Sequence, residues 1–384
     1  MPKEILKCRY CGFESLGNRY YWRCPKCGKP LIITYEDFKA PTISELRRAV
    51  SKLSSIWVFS KWLPQVSDMV TLGEGLTPIV RKVLRGVNVY FKLDYLNPTG
   101  SFKDRGASLT ISKVLSLGLR SVVEDSSGNA GVSITCYGVV AGLSVRVYAP
   151  KTSLRSKLDL IRALGGKVVE TKDRYEANVK ALNGLSENEV YVGHLWNPYF
   201  IEGLKTLAYE LAIQLGKVLS NETYVLIPTS SGGNLLGCYK GFKEAIEGGV
   251  VIDLPKLIAI QAQSPAPIYE GFHNVKLNYE ETTLADGLRV KNPPRLNEII
   301  NALRESRGGV IIVTDQEILR ALKALLKMGF IVEPTSATAY AAFNKLVDDG
   351  VLGRGDNIVL ILTGSGLKSI NDLLRWCERQ GSYT

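Results

Sequence analysis

A chain of 384 residues, 45% of them hydrophobic, can bury a substantial core but is too long for one average-sized domain, so two lobes and an appendage are expected and a disordered or fibrous chain is excluded. The formal charge of +11 is dispersed, with no block of five or more like charges, which suits a phosphorylated small-molecule partner better than nucleic acid. Two histidines leave almost no material for a Ser-His-Asp triad or a histidine-rich catalytic metal site.

Residues 1–35 read as a separate module. No apolar stretch suited to a signal peptide follows Met1, and no run of 18 apolar residues occurs anywhere, so a soluble, cytoplasmic protein without a membrane partner is expected. Cys8-Arg-Tyr-Cys11 and Cys24-Pro-Lys-Cys27 form a C-x2-C-x12-C-x2-C pattern. Four thiolates on two tight turns can close a tetrahedron around a structural Zn²⁺ and leave no open position, and such use of cysteine belongs to a reducing compartment. The aromatic and basic residues between the pairs, Tyr20, Trp22 and Arg23 among them, read as cover for a small core, and the module as a stability or assembly device. Cys136, Cys238 and Cys377 stand alone and read as small buried hydrophobes.

From residue 88 onward, Val- and Ile-rich runs alternate with segments of helical period. Strands are expected at 88–93, 121–124, 144–148, 167–170, 224–228, 256–261, 310–313 and 357–362. Helices are expected at 129–141, 153–164, 174–184, 201–215, 234–247, 315–327, 336–348 and 368–378. This alternation implies an α/β fold with mainly parallel sheets. The Pro- and Gly-rich stretch 262–294 is a candidate for the mouth of a site, a subunit contact or a plain connection.

Four loops carry chemistry. Asn97-Pro-Thr-Gly-Ser-Phe-Lys103-Asp-Arg-Gly106 puts a lysine at the start of an expected helix, where the helix N-terminus and Arg105 both disfavour an ammonium, so its amine is either a poised nucleophile or a plain surface lysine. Ser126-Ser127-Gly-Asn129 follows a strand and opens a helix, which surrounds an anion or ring oxygen with N–H groups and hydroxyls, or is an ordinary capped turn. Thr229-Ser230-Ser231-Gly232-Gly233-Asn234 repeats the arrangement and suits a phosphate, although it matches neither common nucleotide-binding glycine motif. Thr363-Gly-Ser-Gly-Leu-Lys368 ends the last apolar strand, where crevices of open α/β sheets lie, and Thr363 can present a neutral hydroxyl there.

Taken in this order, the four segments resemble the type II pyridoxal 5'-phosphate enzymes over about residues 70–370, and within them the threonine synthases and their archaeal relatives. Leu72-Gly-Glu-Gly-Leu-Thr-Pro78 and Asn197-Pro-Tyr-Phe-Ile-Glu-Gly-Leu-Lys-Thr206 are similar to two further segments of that family. The resemblance implies a two-lobed type II fold: residues 36–110 begin a large lobe, 111–200 form a small mobile lobe, and 201–384 complete the large lobe with the cofactor-phosphate loop. It also implies that Lys103 is the Schiff-base lysine, that Asn129 bonds the cofactor's phenolic oxygen, that Ser230, Ser231, Gly232, Gly233 and Asn234 cup its phosphate, and that Thr363 faces its ring nitrogen. The implied reaction turns O-phospho-L-homoserine and water into L-threonine and phosphate, in a homodimer, with Ser126, Ser127, Lys157 and His194 as substrate contacts. Phe200 departs from the pattern, standing where many threonine synthases carry an arginine associated with the substrate phosphate; His194 and Leu204 also replace polar residues. The alternative is a relative acting at the β carbon, such as a serine or threonine dehydratase or a synthase that uses serine or phosphoserine.

Overall fold

Tyr224–Pro228, buried from its second residue to its last, lies inside a six-stranded sheet. The computed structural model describes residues 3–51, 54–186, 188–278 and 283–378. The sheet runs Gly309–Val313, Lys256–Ala262, Tyr224–Pro228, Asn357–Ile361, Val87–Lys92, Ile79–Leu84. Successive residues serve opposite faces: Leu226, Ile258 and Leu360 enter one apolar cluster, while Val225, Ile227, Leu257 and Val359 enter another. Burial on both faces is why these strands read as continuous apolar runs rather than alternating ones. All neighbours are parallel except Ile79–Leu84, which returns antiparallel from Val87–Lys92 through Arg85 and Gly86, both at positive φ (52° and 84°). Such a turn usually carries Asn-Gly, and the arginine hides it from a sequence reading.

A second, wholly parallel sheet runs Lys167–Thr171, Ser144–Pro150, Ser121–Glu124, Glu189–Tyr191. The expected helix at 201–215 is two helices, Pro198–Leu204 and Thr206–Leu215, meeting at Lys205. The stretch 262–294 contains the helix Pro267–His273 and a short turn of helix at Asp286–Leu288. Cys238 is buried and Cys136 half-buried; the side chain of Cys377 lies outside the described ones. Among the described residues no helix is long and apolar enough to cross a membrane.

The N-terminal module is a three-stranded antiparallel sheet, Glu14–Leu16, Lys3–Lys7, Ile32–Glu36, whose small core of Leu6, Leu31 and Ile33 includes Tyr199 from the body. The aromatic residues between the cysteine pairs cover an interface with the body rather than a private core. Tyr20 stacks on Tyr199 at 5.8 Å, and Trp22 meets the edges of Tyr191 and Trp196 at 4.8 and 5.7 Å. Glu4 pairs with Lys113, and Arg295 donates to the carbonyl oxygens of Leu31 and Trp196, each at 2.7 Å.

Candidate active site

Lys103 is the first residue of the helix Lys103–Ser116. Two links bring its loop to the end of the last sheet strand: the Phe102 N–H donates to the Thr363 carbonyl at 3.0 Å, and Ser101 pairs with Gly364. From below, Phe200 lies flat against Gly106, where an added methyl would sit 2.3 Å from the ring, so only glycine permits this approach. The Lys103 amine stands 4.6 Å from the Phe102 ring centroid and 5.8 Å from that of Phe200, and among the described residues it has no hydrogen-bond or ion-pair partner. Burial lowers its pKa to about 8 against the opposing pull of the Glu124 and Glu333 carboxyls.

Asn129 opens the helix Asn129–Val140 and donates its side-chain N–H to Glu333 Oε1 at 2.7 Å; its own Oδ1 is buried without a partner. The other oxygen of Glu333 accepts from Lys157 at 3.3 Å, and Lys157 also donates to Asp286 at 2.9 Å. Lys157 is therefore a buried, doubly paired cation, and its pKa is raised: burial opposes the charge, but the Asp286 and Glu333 carboxylates outweigh it. Glu333, which sequence reasoning missed, precedes Pro334 at the first turn of the helix Pro334–Asp348, and its carboxylate makes no capping bond there. A Glu-Pro pair opening an apolar helix was the available signal.

Thr363 is buried, and its hydroxyl lies 3.2 Å from that of Ser336, a second residue not foreseen. The turn Ser230, Ser231, Gly232, Gly233, Asn234 opens the helix Gly233–Glu247 with no side chain capping it. Gly232 sits at φ 84°, and a methyl there would meet Ile299 at 2.2 Å. Ser230 Oγ and both amide atoms of Asn234 are buried without partners.

Ser126 Oγ accepts from the Gly128 N–H at 3.3 Å, and Ser127 Oγ accepts from the Ser153 hydroxyl at 2.7 Å. His194 Nδ1 lies 3.0 Å from Glu124 Oε1. Burial, with the Lys103 and Arg174 charges, pushes the His194 pKa well below its usual value, whereas burial and neighbouring Asp125 push that of Glu124 well up. A neutral imidazole is the favoured form of His194.

At the N-terminus, Cys8 and Cys27 Sγ are 3.5 Å apart, as are Cys11 and Cys24, and all four sulfurs lie within 4.8 Å of one another. A tetrahedral Zn²⁺ at about 2.3 Å from each sulfur sets the sulfurs at about 3.8 Å, which this cluster can meet.

A buried amine without partners among the described residues, and a turn with unpaired buried polar atoms that opens a helix after a parallel strand, are features suited to a cofactor-dependent enzyme. The chain belongs to the pyridoxal-phosphate dependent enzyme family, whose profile matches residues 70–364. It is similar to the threonine synthases of Methanosarcina acetivorans, 34% identical over 97% of this chain and 94% of that one, and of Methanocaldococcus jannaschii, 32% identical over 97% and 95%. It is a pyridoxal phosphate-dependent lyase of the threonine synthase family. Among solved structures, an L-serine ammonia-lyase from Rhizomucor miehei superposes with a TM-score of 0.68 at 20% identity, covering 79% of this chain and 97% of that one, which establishes the shared fold.

The residues fit the cofactor. A buried polar group without a partner costs about 1–3 kcal/mol, and such groups gather here: Ser101 Oγ, Glu124 Oε2, Asn129 Oδ1, Ser230 Oγ and the Asn234 amide. Hydroxyl and amide donors at a helix N-terminus suit a phosphate, and the isolated amine suits an aldehyde.

Proposed function

We propose that the chain converts O-phospho-L-homoserine and water into L-threonine and inorganic phosphate. What carries the reading is the solitary Lys103 amine in a chain akin to threonine synthases over nearly its whole length. Lys103 would hold the cofactor's aldehyde carbon, the Ser230–Asn234 turn its phosphate, Asn129 its phenolic oxygen and Thr363 its ring nitrogen. Bound there, pyridoxal phosphate supplies an electron sink for charge developing at the substrate's carbons. The Lys103 amine would take protons from the substrate's α and β carbons and return them at the α and γ carbons, as phosphate leaves the γ carbon and the hydroxyl of water is added at the β carbon. The Thr363 hydroxyl lies beside that of Ser336 rather than a carboxylate, and a neutral hydroxyl opposite the ring nitrogen would leave that nitrogen unprotonated and restrain transamination. Ser126 and Ser127 would receive the substrate's carboxylate, and 111–200 would close over it as a small lobe.

Because only the neutral amine attacks an aldehyde, capture of the cofactor by the apoenzyme is expected to quicken as pH rises and to level off above about 8, the value to which burial lowers Lys103. Stopped-flow absorbance checks this; a rate independent of pH between 6 and about 9 would count against the amine as nucleophile.

A second reading is favoured by Phe200 and Leu204, both buried and apolar, at positions where the family pattern has polar residues. It makes the enzyme a β-carbon lyase or synthase. Phosphate release from O-phospho-L-homoserine with threonine formed supports the first reading; ammonia released from serine, with no threonine made, supports the second.

The four thiolates would hold a structural zinc in a reducing, cytoplasmic setting. One zinc per chain is expected by elemental analysis, and Cys24→Ser is expected to lose it and to melt several degrees lower; a metal-free wild type would overturn this.

A homodimer is the proposed assembly. Leu96, Ile331 and Leu367 line a hollow of about 810 Å³ behind the Lys103 loop, and Ile370 and Leu374 follow on the next helix, all of them exposed. A second copy of the chain would cover this apolar face.

A further inference from the structure

If the substrate carries a phosphate, a cation would bind it more firmly than neutral donors alone, and the expected candidates are not available. Position 200 is a phenylalanine packed on Gly106. Lys157 is buried between Asp286 and Glu333, so binding a phosphate there would break two charge-assisted bonds. Arg289 is turned back onto the Thr283 carbonyl.

Arg174 is different. It begins the helix Arg174–Asn183, whose cap is the Asp173 side chain, and it is exposed. Among the described residues it has no carboxylate partner; its single hydrogen bond runs from Nη2 to the Asp286 carbonyl at 3.4 Å, at the long limit for such a bond. The groups that feel its charge are Asp286 and Arg289 in the 262–294 stretch, Asp125 just past the strand Ser121–Glu124, and His194 just before the helix Pro198–Leu204. Asp286 also holds Lys157, which in turn bonds Glu333, the partner of Asn129, so Arg174 stands at the outer end of a chain of contacts that leads from the Asn129 loop. Asp125 is occupied by Asn178 and Tyr191, at 2.8 and 3.0 Å, and does not claim it.

We propose that Arg174 is the specificity-determining residue that receives the substrate's phosphate, in place of a cation at position 200. The assignment rests on the reading of the enzyme as acting on a phosphorylated amino acid. A planar guanidinium with free donors suits a phosphate dianion with a two-pronged contact, which a lysine ammonium cannot reproduce. Neutral His194 lies in the same field and can donate from Nε2 without adding charge.

The test is steady-state kinetics with O-phospho-L-homoserine on the cofactor-loaded enzyme. Arg174→Met is expected to raise KM by about tenfold to a hundredfold, the worth of a charge-assisted hydrogen bond, and to change kcat little. Inhibition by inorganic phosphate should weaken in parallel, while the spectral titration with L-threonine, which has no phosphate, stays unchanged. Arg174→Lys should recover part of the loss. Arg162→Met, which removes a surface arginine already paired with Asp159 and Glu170, should leave KM as it was. An unchanged KM and phosphate inhibition in Arg174→Met would overturn the assignment while leaving threonine synthesis standing. Failure of the wild type to make threonine would instead remove the reading on which it rests.

Discussion

Lys103→Ala is expected to lose the visible absorbance of the bound cofactor and to lower threonine formation by about a thousandfold or more, since one amine would serve both as the cofactor's anchor and as the proton carrier. The fold should survive. The Lys103 amine makes no hydrogen bond or ion pair among the described residues, so its removal strands no buried partner, and its immediate contacts are the rings of Phe102 and Phe200. A circular-dichroism spectrum and melting curve like those of the wild type, with activity gone, is the expected combination. Activity within tenfold of wild type would reassign the chemistry to another lysine.

Glu210→Ala is expected to cost about 3–5 kcal/mol of stability, because it leaves the buried Lys92 without a counter-charge and the buried Arg105 with one carboxylate in place of two. Glu210 is fully buried, accepts from Lys92 at 2.7 Å and from both ends of the Arg105 guanidinium, and receives the Leu76 N–H at 2.8 Å. Arg105 also spans to Asp94, whose Oδ1 and Oδ2 lie 2.7 and 3.0 Å away. This network fastens the first turn of the Lys103 helix to the Thr206–Leu215 helix and to the 94–96 turn, so weaker cofactor retention should accompany the lower stability. Urea unfolding checks the first effect and dialysis against free cofactor the second. A variant as stable as the wild type would show that the network is dispensable.

The parallel core was legible in the sequence because strands buried on both faces appear as unbroken Val and Ile runs, and all eight expected strands fall within two residues of those found. The strand expected at 88–93 is found at Val87–Lys92, but its antiparallel partner Ile79–Leu84 is hidden by an arginine at positive φ in the connecting turn. The break at Lys205 was not legible either. Both halves of 201–215 have good helix formers, and the split follows from packing, with Lys205 drawn into a buried pairing with Glu202 and Glu244.

The loops of the site were legible as motifs because backbone-lined cups need glycine and small hydroxyls in short runs. Glu333, Ser336, Glu124 and Arg174 were not, since each acts through a neighbour distant in sequence: Glu333 joins Asn129 to Lys157 across more than 170 positions, and nothing local distinguishes it from any helix-opening glutamate. Lys157 shows the converse. Its sequence surroundings allow a solvated helix residue, whereas the fold buries it between two carboxylates.

The measurement that tests the account most directly is reductive trapping of the bound cofactor with borohydride, followed by peptide mapping by mass spectrometry. The account expects the phosphopyridoxyl mass on the peptide that carries Lys103 and on no other; its appearance on Lys157 or Lys368 instead, with Lys103 unmodified, would contradict it.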